Sequence, residues 1–160
     1  MDSEKSKQLS RDIVSIIHLK DTNQQVLILQ DNILIASPHS DYVTPVTFAS
    51  LPCRDIENLA IDKGSPIYLG IDGKELCLCC EESEGEPTLK LKEKNVWKLY
   101  QSKDAEKPFV FYQDQNGSMS SLESAAYPGW FICTSSERNR PLRMTQQKEP
   151  NCNTSFYLSQ

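Results

Sequence analysis

The stretch LESAAYPGWFI, Leu122–Ile132, is the most informative part of this sequence, because it joins two apolar, strand-like segments through a defined turn. Pro128 presets a negative φ and Gly129 accepts a positive one, so the pair bends the backbone tightly. Side chains alternate along a strand, which places Trp130 and Ile132 on the same side, where they bury a large apolar area. We therefore interpret the stretch as a core and turn element and not as a binding site.

Short apolar segments separated by turn residues recur along nearly the whole chain, which indicates an all-β fold. Apolar residues at spacings of three and four predict one short helix at Lys94–Gln101. We predict twelve strands, near Asp12–Leu19, Gln25–Gln30, Ile33–Ser37, Val46–Leu51, Ile67–Ile71, Leu76–Cys80, Thr88–Lys92, Phe109–Tyr112, Ser120–Glu123, Trp130–Thr134, Leu142–Thr145 and Ser155–Leu158.

Three pairs of neighbouring segments are joined by residues that tolerate a positive φ, which predicts tight antiparallel hairpins. The turns are Gln30–Asn32, Asp72–Lys74 and Asn116–Gly117. Comparable strand-turn-strand units begin near Val26, Ile67 and Phe109, about 41 residues apart. A threefold repeat of four-stranded units fits a chain of this length. We therefore predict a β-trefoil of about twelve strands with pseudo-threefold symmetry.

The composition indicates one ordinary domain with an apolar core. The chain has 160 residues, of which 38% are hydrophobic, and its formal net charge is -5. This acidity lacks the electrostatic signature of nucleic-acid binding. The longest apolar runs, such as Val26–Leu29, are far shorter than the roughly 20 residues that cross a bilayer. We expect neither a nucleic-acid partner nor membrane insertion.

The six cysteines are expected to be reduced thiols, because their density is about half of that found in small disulfide-stapled domains. Cys77, Cys79 and Cys80 have the residue type of a zinc site but lack its C-x-x-C spacing. Cys77 and Cys79 lie two residues apart, so they face one side of a strand. We expect them to pack there as small hydrophobic side chains.

No pattern of residues in the sequence indicates catalysis. The two histidines, His18 and His39, do not lie in a ligand-spaced motif, and the sequence has no nucleophile elbow, Walker loop or dinucleotide fingerprint. The acidic run Glu81–Glu86 precedes Pro87 and is predicted to be a solvated hairpin loop. We expect no enzyme activity, no catalytic or metal-binding residues and no cofactor.

The function that remains after catalysis is set aside is recognition of a partner by loops on a rigid barrel. Glycan binding by a lectin-like trefoil is a more distant alternative, since the lysines at 90, 92 and 94 alternate along the predicted solvent face of a strand. The first loop, Cys53–Ser65, is either an exposed apolar and charged surface or a short helix packed on the barrel. The second loop, Gln146–Thr154, is polar and rich in turn residues. The candidate contact residues are Arg54, Asp55, Glu57, Asn58, Asp62, Lys63, Gln147, Lys148, Glu149 and Asn151.

Residues 122–132 closely resemble the segment F/L-E-S-x-x-[YF]-P-G-W-[FY]-[IL] of the interleukin-1 cytokine family. The resemblance runs from about Leu19 to Gln160, and Pro66–Ile71 and Glu86–Lys94 are similar to the interleukin-36 branch. It implies a monomeric, secreted β-trefoil cytokine that binds the interleukin-36 receptor. Such a cytokine recruits the interleukin-1 receptor accessory protein and triggers pro-inflammatory NF-κB and MAPK signalling.

The same resemblance leaves an antagonist or a suppressive cytokine as an alternative. In this family, the loops between strands 4 and 5 and between strands 11 and 12 help determine whether the accessory receptor is recruited. The first and second loops are similar to the agonists in length, whereas the interleukin-36 receptor antagonist has a shorter first loop and a longer second one. However, Glu149–Pro150 resembles interleukin-38, and Leu122–Thr134 resembles interleukin-37.

The resemblance also gives the amino terminus a meaning. Members of the interleukin-36 branch become active when they are trimmed nine residues before an aliphatic-x-Asp motif, and Leu19, Lys20 and Asp21 form such a motif. The implied cleavage lies between Leu9 and Ser10. Residues 1–9 are then a flexible, propeptide-like segment, and residues 10–160 are the β-trefoil cytokine domain.

The opening residues, MDSEKSKQLSRD, mix both signs of charge and do not read as a secretion signal. With the resemblance, this implies synthesis in the cytoplasm and release to the extracellular space without a signal peptide. Asn116 and Asn153 lie in N-x-S/T sequons. We expect both to be unglycosylated, because this route bypasses the endoplasmic reticulum.

Overall fold

Six strands form a closed antiparallel barrel in the computed structural model of this protein, which describes residues 13–146 and 150–160. Each strand pairs with both of its neighbours around the ring, and the last strand pairs with the first. Closure leaves the barrel without an open strand edge. The barrel strands are β1 (Ser15–Asp21), β4 (Phe48–Pro52), β5 (Ser65–Ile71), β8 (Val110–Asn116), β9 (Met119–Ser124) and β14 (Phe156–Ser159).

Three hairpins extend from the barrel, one for each repeat of the chain. They are β2 (Gln25–Gln30) with β3 (Ile33–Pro38), β6 (Leu76–Ser83) with β7 (Glu86–Glu93), and β10 (Phe131–Ser135) with β12 (Arg143–Thr145). Two further strands have two residues each, β11 (Arg140–Pro141) and β13 (Cys152–Asn153). The barrel and its three hairpins confirm the predicted β-trefoil.

The hairpin turns follow the predicted chemistry. Asp31 and Asn32 have φ of 52° and 61°, so a two-residue turn joins β2 to β3 in the form that matches strand twist. The predicted loop at Glu81–Glu86 is wrong in extent, because only Glu84 and Gly85, with φ of 54° and 85°, lie outside the strands. Cross-strand pairing therefore continues through a run whose polarity alone suggested a loop.

All twelve predicted strands are present, although several ends differ by a few residues, and the predicted start of the first strand, Asp12, lies outside the described residues. The predicted helix is shorter than expected and forms α1, Val96–Gln101. It begins where Asn95 Oδ1 accepts hydrogen bonds from the backbone N–H groups of Trp97 and Lys98. The described residues also include two short 3₁₀ turns, Ile61–Lys63 and Lys107–Phe109.

The barrel interior holds the first apolar cluster, to which every barrel strand contributes. Its fully buried members include Phe48, Phe111, Leu122 and Phe156. Ile132 also lies in this cluster, and Trp130 packs against it. The Leu122–Ile132 stretch therefore acts as the core and turn element that the sequence indicates.

A second apolar cluster lies on the outer side of the barrel wall. Side chains alternate across a strand, so Tyr68 and Tyr112 point away from the interior that their neighbours fill. Cys77 and Cys79 pack beside them, as predicted, and Leu99 of α1 covers the group. This cluster supports α1 and the first loop.

A buried carboxylate pins the turn between β1 and β2. Asp21 is fully buried and accepts hydrogen bonds from the backbone N–H groups of Asn23 and Gln25 at 2.9 and 2.8 Å. It also accepts from Gln25 Nε2 at 3.0 Å and from the Thr134 hydroxyl at 2.6 Å. Because Thr134 lies on β10, Asp21 joins the first repeat to the third.

Replacing this carboxylate should destabilise the whole fold. We expect Asp21→Ala to lower the free energy of unfolding by about 3 kcal/mol, because several buried donors lose their acceptor. Denaturant unfolding monitored by tryptophan fluorescence measures the change. Asp41→Ala, which removes an exposed carboxylate, is the matched control and should change stability little. Similar losses in the two variants would contradict this role of Asp21.

Candidate functional site

Asp55 organises the beginning of the first loop. It is only 8% exposed, and its carboxylate accepts a hydrogen bond from the backbone N–H of Ala105 at 2.9 Å. It also accepts from the Asn58 backbone N–H at 3.3 Å and from the Asn58 side-chain amide at 2.9 and 3.1 Å. The Ala105 N–H, followed by the Asn58 amide, holds the pKa of the Asp55 carboxyl below its ordinary value. Asp55 is therefore charged at neutral pH and ties the loop to the chain after α1.

Arg54 attaches the first loop to the end of α1. Its guanidinium lies over the ring of Tyr100, 4.6 Å from the centroid. Its Nε and Nη2 donate to the carbonyl oxygens of Tyr100 and Gln101 at 3.0 and 3.2 Å. These are carbonyls of the last helical turn, where a cation is favoured. Arg54 is exposed, and two of the five N–H donors of its guanidinium are used in these contacts.

The middle of the first loop packs only partly on the barrel. Of the two predicted alternatives, packing on the barrel and an exposed apolar surface, each therefore describes part of the loop. Leu59 is buried in the second apolar cluster. The next backbone N–H, of Ala60, donates to the Tyr112 hydroxyl at 3.0 Å. Ile56, by contrast, is 65% exposed. The loop therefore has an inward anchor and an outward apolar tip.

The end of the first loop is tied to the Pro128–Gly129 turn. Lys63 Nζ and Glu123 Oε2 form an ion pair at 3.0 Å. The same carboxylate oxygen accepts the Gly129 backbone N–H at 2.8 Å, where Gly129 has a φ of 87°. The sequence does not predict that Glu123 contacts the first loop, nor that Tyr100, Ala105 and Tyr112 do. The Glu-Ser pattern marked Glu123 only as part of a core and turn element.

The outward surface of the first loop consists of Ile56, Glu57, Asn58 and Asp62, all of which are exposed. Of the six candidate contacts in this loop, Glu57, Asn58 and Asp62 lie open to a partner, as does part of Arg54. Asp55 and Lys63 are engaged in internal contacts, and the exposed Asn58 also donates its side-chain amide to Asp55. This arrangement can bind another surface but offers no reacting group.

The second loop is described only in part. Gln147, Lys148 and Glu149 lie outside the described residues, while Asn151 is exposed. The Asn151 carbonyl accepts the Ser136 N–H at 3.1 Å, and strand β13 then pairs with β10. This part of the loop is held against the third hairpin.

The two sequon asparagines differ in their surroundings. Asn153 Nδ2 donates to Thr22 Oγ1 at 2.8 Å, and its Oδ1 accepts the Ser155 N–H at 3.0 Å. Asn116 is exposed at the end of β8. The side chain of Asn153 is therefore engaged in internal hydrogen bonds, and the absence of a glycan at either sequon stays a prediction.

The aliphatic-x-Asp motif, Leu19–Asp21, lies at the end of barrel strand β1. Leu19 is buried in the first apolar cluster, and Asp21 is the buried carboxylate described above. Lys20, between them, pairs across the strands with Val26 and Tyr157. The implied cleavage position, Leu9 and Ser10, lies outside the described residues.

All six cysteines lie in the described part of the chain, and no disulfide joins them. Burial raises the pKa of Cys77 to about 12 and that of Cys79 to about 11. Within residues 13–146 and 150–160, no group of histidine, cysteine and acidic side chains is placed to hold a metal ion. The CLCC cluster is a packing element with thiols that are protonated at neutral pH.

These environments predict unequal thiol reactivity in the native protein. We expect iodoacetamide to alkylate the partly exposed Cys152 first, and to alkylate Cys77 and Cys79 at least about 100-fold more slowly. Mass spectrometry of peptides at successive times measures the order. Cys152→Ser should remove the fast phase, and denaturation should make the slow sites reactive. Rapid native labelling of Cys77 or Cys79 would contradict the burial of these thiols.

Comparison with known proteins places the chain among cytokines. The family described as Interleukin-1 / 18 matches residues 55–158. The chain is 46% identical to human interleukin-36 alpha over 141 residues, covering 88% of this chain and 89% of that protein. It is 40% identical to the mouse interleukin-36 receptor antagonist protein over 148 residues, covering 89% and 92%. The NMR structure of the pro-inflammatory cytokine interleukin-36alpha superposes with a TM-score of 0.75 at 44% identity, covering 89% of this chain and 92% of that one.

The closed β-trefoil carries its candidate contact residues on loops, an arrangement suited to binding another surface. The chain belongs to the interleukin-1 family. It is therefore a receptor-binding cytokine, a signalling protein of a family that acts outside the cell, and it is not an enzyme. In the described part of the chain, no helix has the length and apolar character needed to cross a membrane.

Proposed function

We propose that this cytokine is an agonist of the interleukin-36 receptor. It binds that receptor as a monomer and recruits the interleukin-1 receptor accessory protein, which triggers pro-inflammatory NF-κB and MAPK signalling. The observation that carries the proposal is the first loop, whose exposed tip, Ile56–Asn58, is held on a rigid frame by Asp55 and Leu59. The similarity to interleukin-36 alpha supports the choice of receptor.

The internal contacts of the first loop favour this role. A loop that is ordered before binding loses less conformational entropy when it meets its receptor. The loop is held at Arg54, Asp55, Ala60 and Lys63. Between Asp55 and Ala60, Ile56, Glu57 and Asn58 are exposed, whereas Leu59 is buried. In the second loop, Asn151 and the candidates Gln147, Lys148 and Glu149 are proposed to complete the contact with the accessory chain.

The tip of the first loop should contribute to signalling without contributing to stability. We expect Ile56→Ala to reduce potency about tenfold in cells that carry both receptor chains and an NF-κB reporter, because an exposed apolar side chain is lost from the interface. Ile33→Ala is the matched control, since Ile33 is 50% exposed at the start of β3. Equal potency of Ile56→Ala and the unmodified protein, at equal melting temperature, would reject this contact.

An antagonist is the second candidate, favoured by the similarity to the mouse interleukin-36 receptor antagonist protein. An antagonist binds the primary receptor and does not recruit the accessory chain. The same reporter cells distinguish the two functions, because an agonist raises the signal by itself. An antagonist instead lowers the signal produced by added interleukin-36 alpha.

We also propose that removal of residues 1–9 activates the cytokine. The motif Leu19–Asp21 supports this register, because Leu19 and Asp21 are buried and place the motif at a fixed point of the barrel. A retained polar segment that precedes this point would crowd the receptor-facing surface.

The activation proposal predicts a difference between three forms of the chain. We expect the form that begins at Ser10 to be at least about tenfold more potent than the full chain, because the crowding segment is absent. A form that begins at Asp12 is the control for register and should be less potent than the Ser10 form. The receptor reporter assay measures all three, and equal potency of the Ser10 form and the full chain would overturn the proposal.

A further inference from the structure

One carboxylate fixes the orientation of the tip of the first loop. The tip residues Ile56–Asn58 are exposed and lie between Asp55 and the buried Leu59. The Asp55 carboxylate bridges this tip to Ala105, a residue of the segment that follows α1 and lies 50 positions further along the chain. The loop and the segment after α1 therefore form one connected surface.

The anchor that Asp55 uses is itself held in place. The next backbone N–H, of Glu106, donates to the Tyr68 hydroxyl at 3.4 Å, at the edge of the second apolar cluster. The Glu106 carboxylate pairs with Lys94 at 3.0 Å. Ala105 thus presents its N–H to Asp55 from a fixed position.

We propose that Asp55 is a positioning residue for receptor recognition, because its carboxylate holds the exposed tip of the first loop in the orientation that the receptor meets. This inference rests on the proposed function. Asp55 is buried and does not offer its own side chain to the receptor. It acts through the orientation of its neighbours Ile56, Glu57 and Asn58.

The chemistry of the contact requires a carboxylate. An ionised aspartate only accepts hydrogen bonds, and here three kinds of donor converge on it: the Ala105 N–H, the Asn58 N–H and the Asn58 side-chain amide. An asparagine in this place would present an amide N–H₂ group to at least one of these donors. The fit is therefore specific for charge and for acceptor capacity, and not only for size.

Swapping the side chains of Asp55 and Asn58 tests this specificity. Asp55→Asn places two amides against each other, and Asn58→Asp places two carboxylates against each other. The double variant Asp55→Asn with Asn58→Asp restores one donor and one acceptor, in reversed order, and leaves the amide oxygen at position 55 to accept the Ala105 N–H. Asp55→Ala removes the bridge completely. Asp104→Ala is the charge-matched control, because Asp104 is an exposed carboxylate beside Ala105.

The first measurement uses the unbound full chain. Hydrogen exchange followed by NMR reports the protection of the Ala105 and Asn58 amides, both of which donate to Asp55. We expect exchange at both amides to be about tenfold faster in Asp55→Ala, and close to that of the unmodified protein in Asp104→Ala. In the double variant we expect protection to return at Ala105 only, because the amide N–H₂ group at position 55 then faces the backbone N–H of residue 58. Unchanged exchange in Asp55→Ala would overturn the proposal.

The second measurement is affinity for the extracellular part of the interleukin-36 receptor, by surface plasmon resonance. We expect about tenfold weaker binding for each single variant at position 55, and unchanged binding for Asp104→Ala. The melting temperature of each variant separates this effect from a general loss of stability. Wild-type affinity in Asp55→Ala would overturn the positioning role.

The results that would reject the proposed function differ from those that would reject only the positioning role of Asp55. If the unmodified chain does not bind the receptor with or without its first nine residues, the agonist and antagonist proposals both fall, and the receptor role of Asp55 falls with them. The hydrogen-exchange measurement on the unbound chain still decides whether Asp55 orders the loop. If the unmodified chain binds and the single variants bind equally well, only the positioning role is rejected.

Discussion

The pairing of β1 with β14 is the constraint on which the rest of the structure depends, because it turns an open sheet into a barrel. The residues His18–Asp21 meet Phe156–Ser159, so nearly the full length of the chain must be arranged before the ring can close. Closure buries the first apolar cluster on all sides and removes the exposed edge of the six-stranded ring. The hydrogen bond from the Thr134 hydroxyl to Asp21 joins the third repeat to the first. It helps to satisfy a carboxylate that is fully buried.

The sequence predicts the local features of this fold well. The turn at Asp31–Asn32 and the Pro128–Gly129 bend are encoded by residues whose backbone preferences act within a few positions. The extension of β6 through Ser83 could not be predicted in the same way, because it depends on pairing with β7 and outweighs local polarity. The environment of Asp21 is non-local as well, since its partner Thr134 lies 113 residues away.

The candidate site likewise depends on non-local contacts that the sequence does not predict. Charged residues in a loop between two strands predict an interaction surface, and Glu57, Asn58 and Asp62 are indeed exposed. Composition does not distinguish them from Asp55 and Lys63, which are equally polar but bond to Ala105 and Glu123. That distinction depends on contacts 50 and 60 positions apart along the chain. Only the folded barrel brings those partners together.

The two apolar clusters separate the stability of the barrel from the support of the first loop. The first cluster fills the interior, where removal of a large side chain leaves a cavity and costs several kcal/mol. The second cluster lies outside the wall and supports α1 and the first loop through Leu99 and Leu59. Changes in the second cluster can therefore alter the position of the loop while the barrel remains closed. Because α1 lies directly on Gly70, where an added Cβ would be 2.9 Å from the Val96 Cβ, a larger residue at position 70 would displace this outer layer.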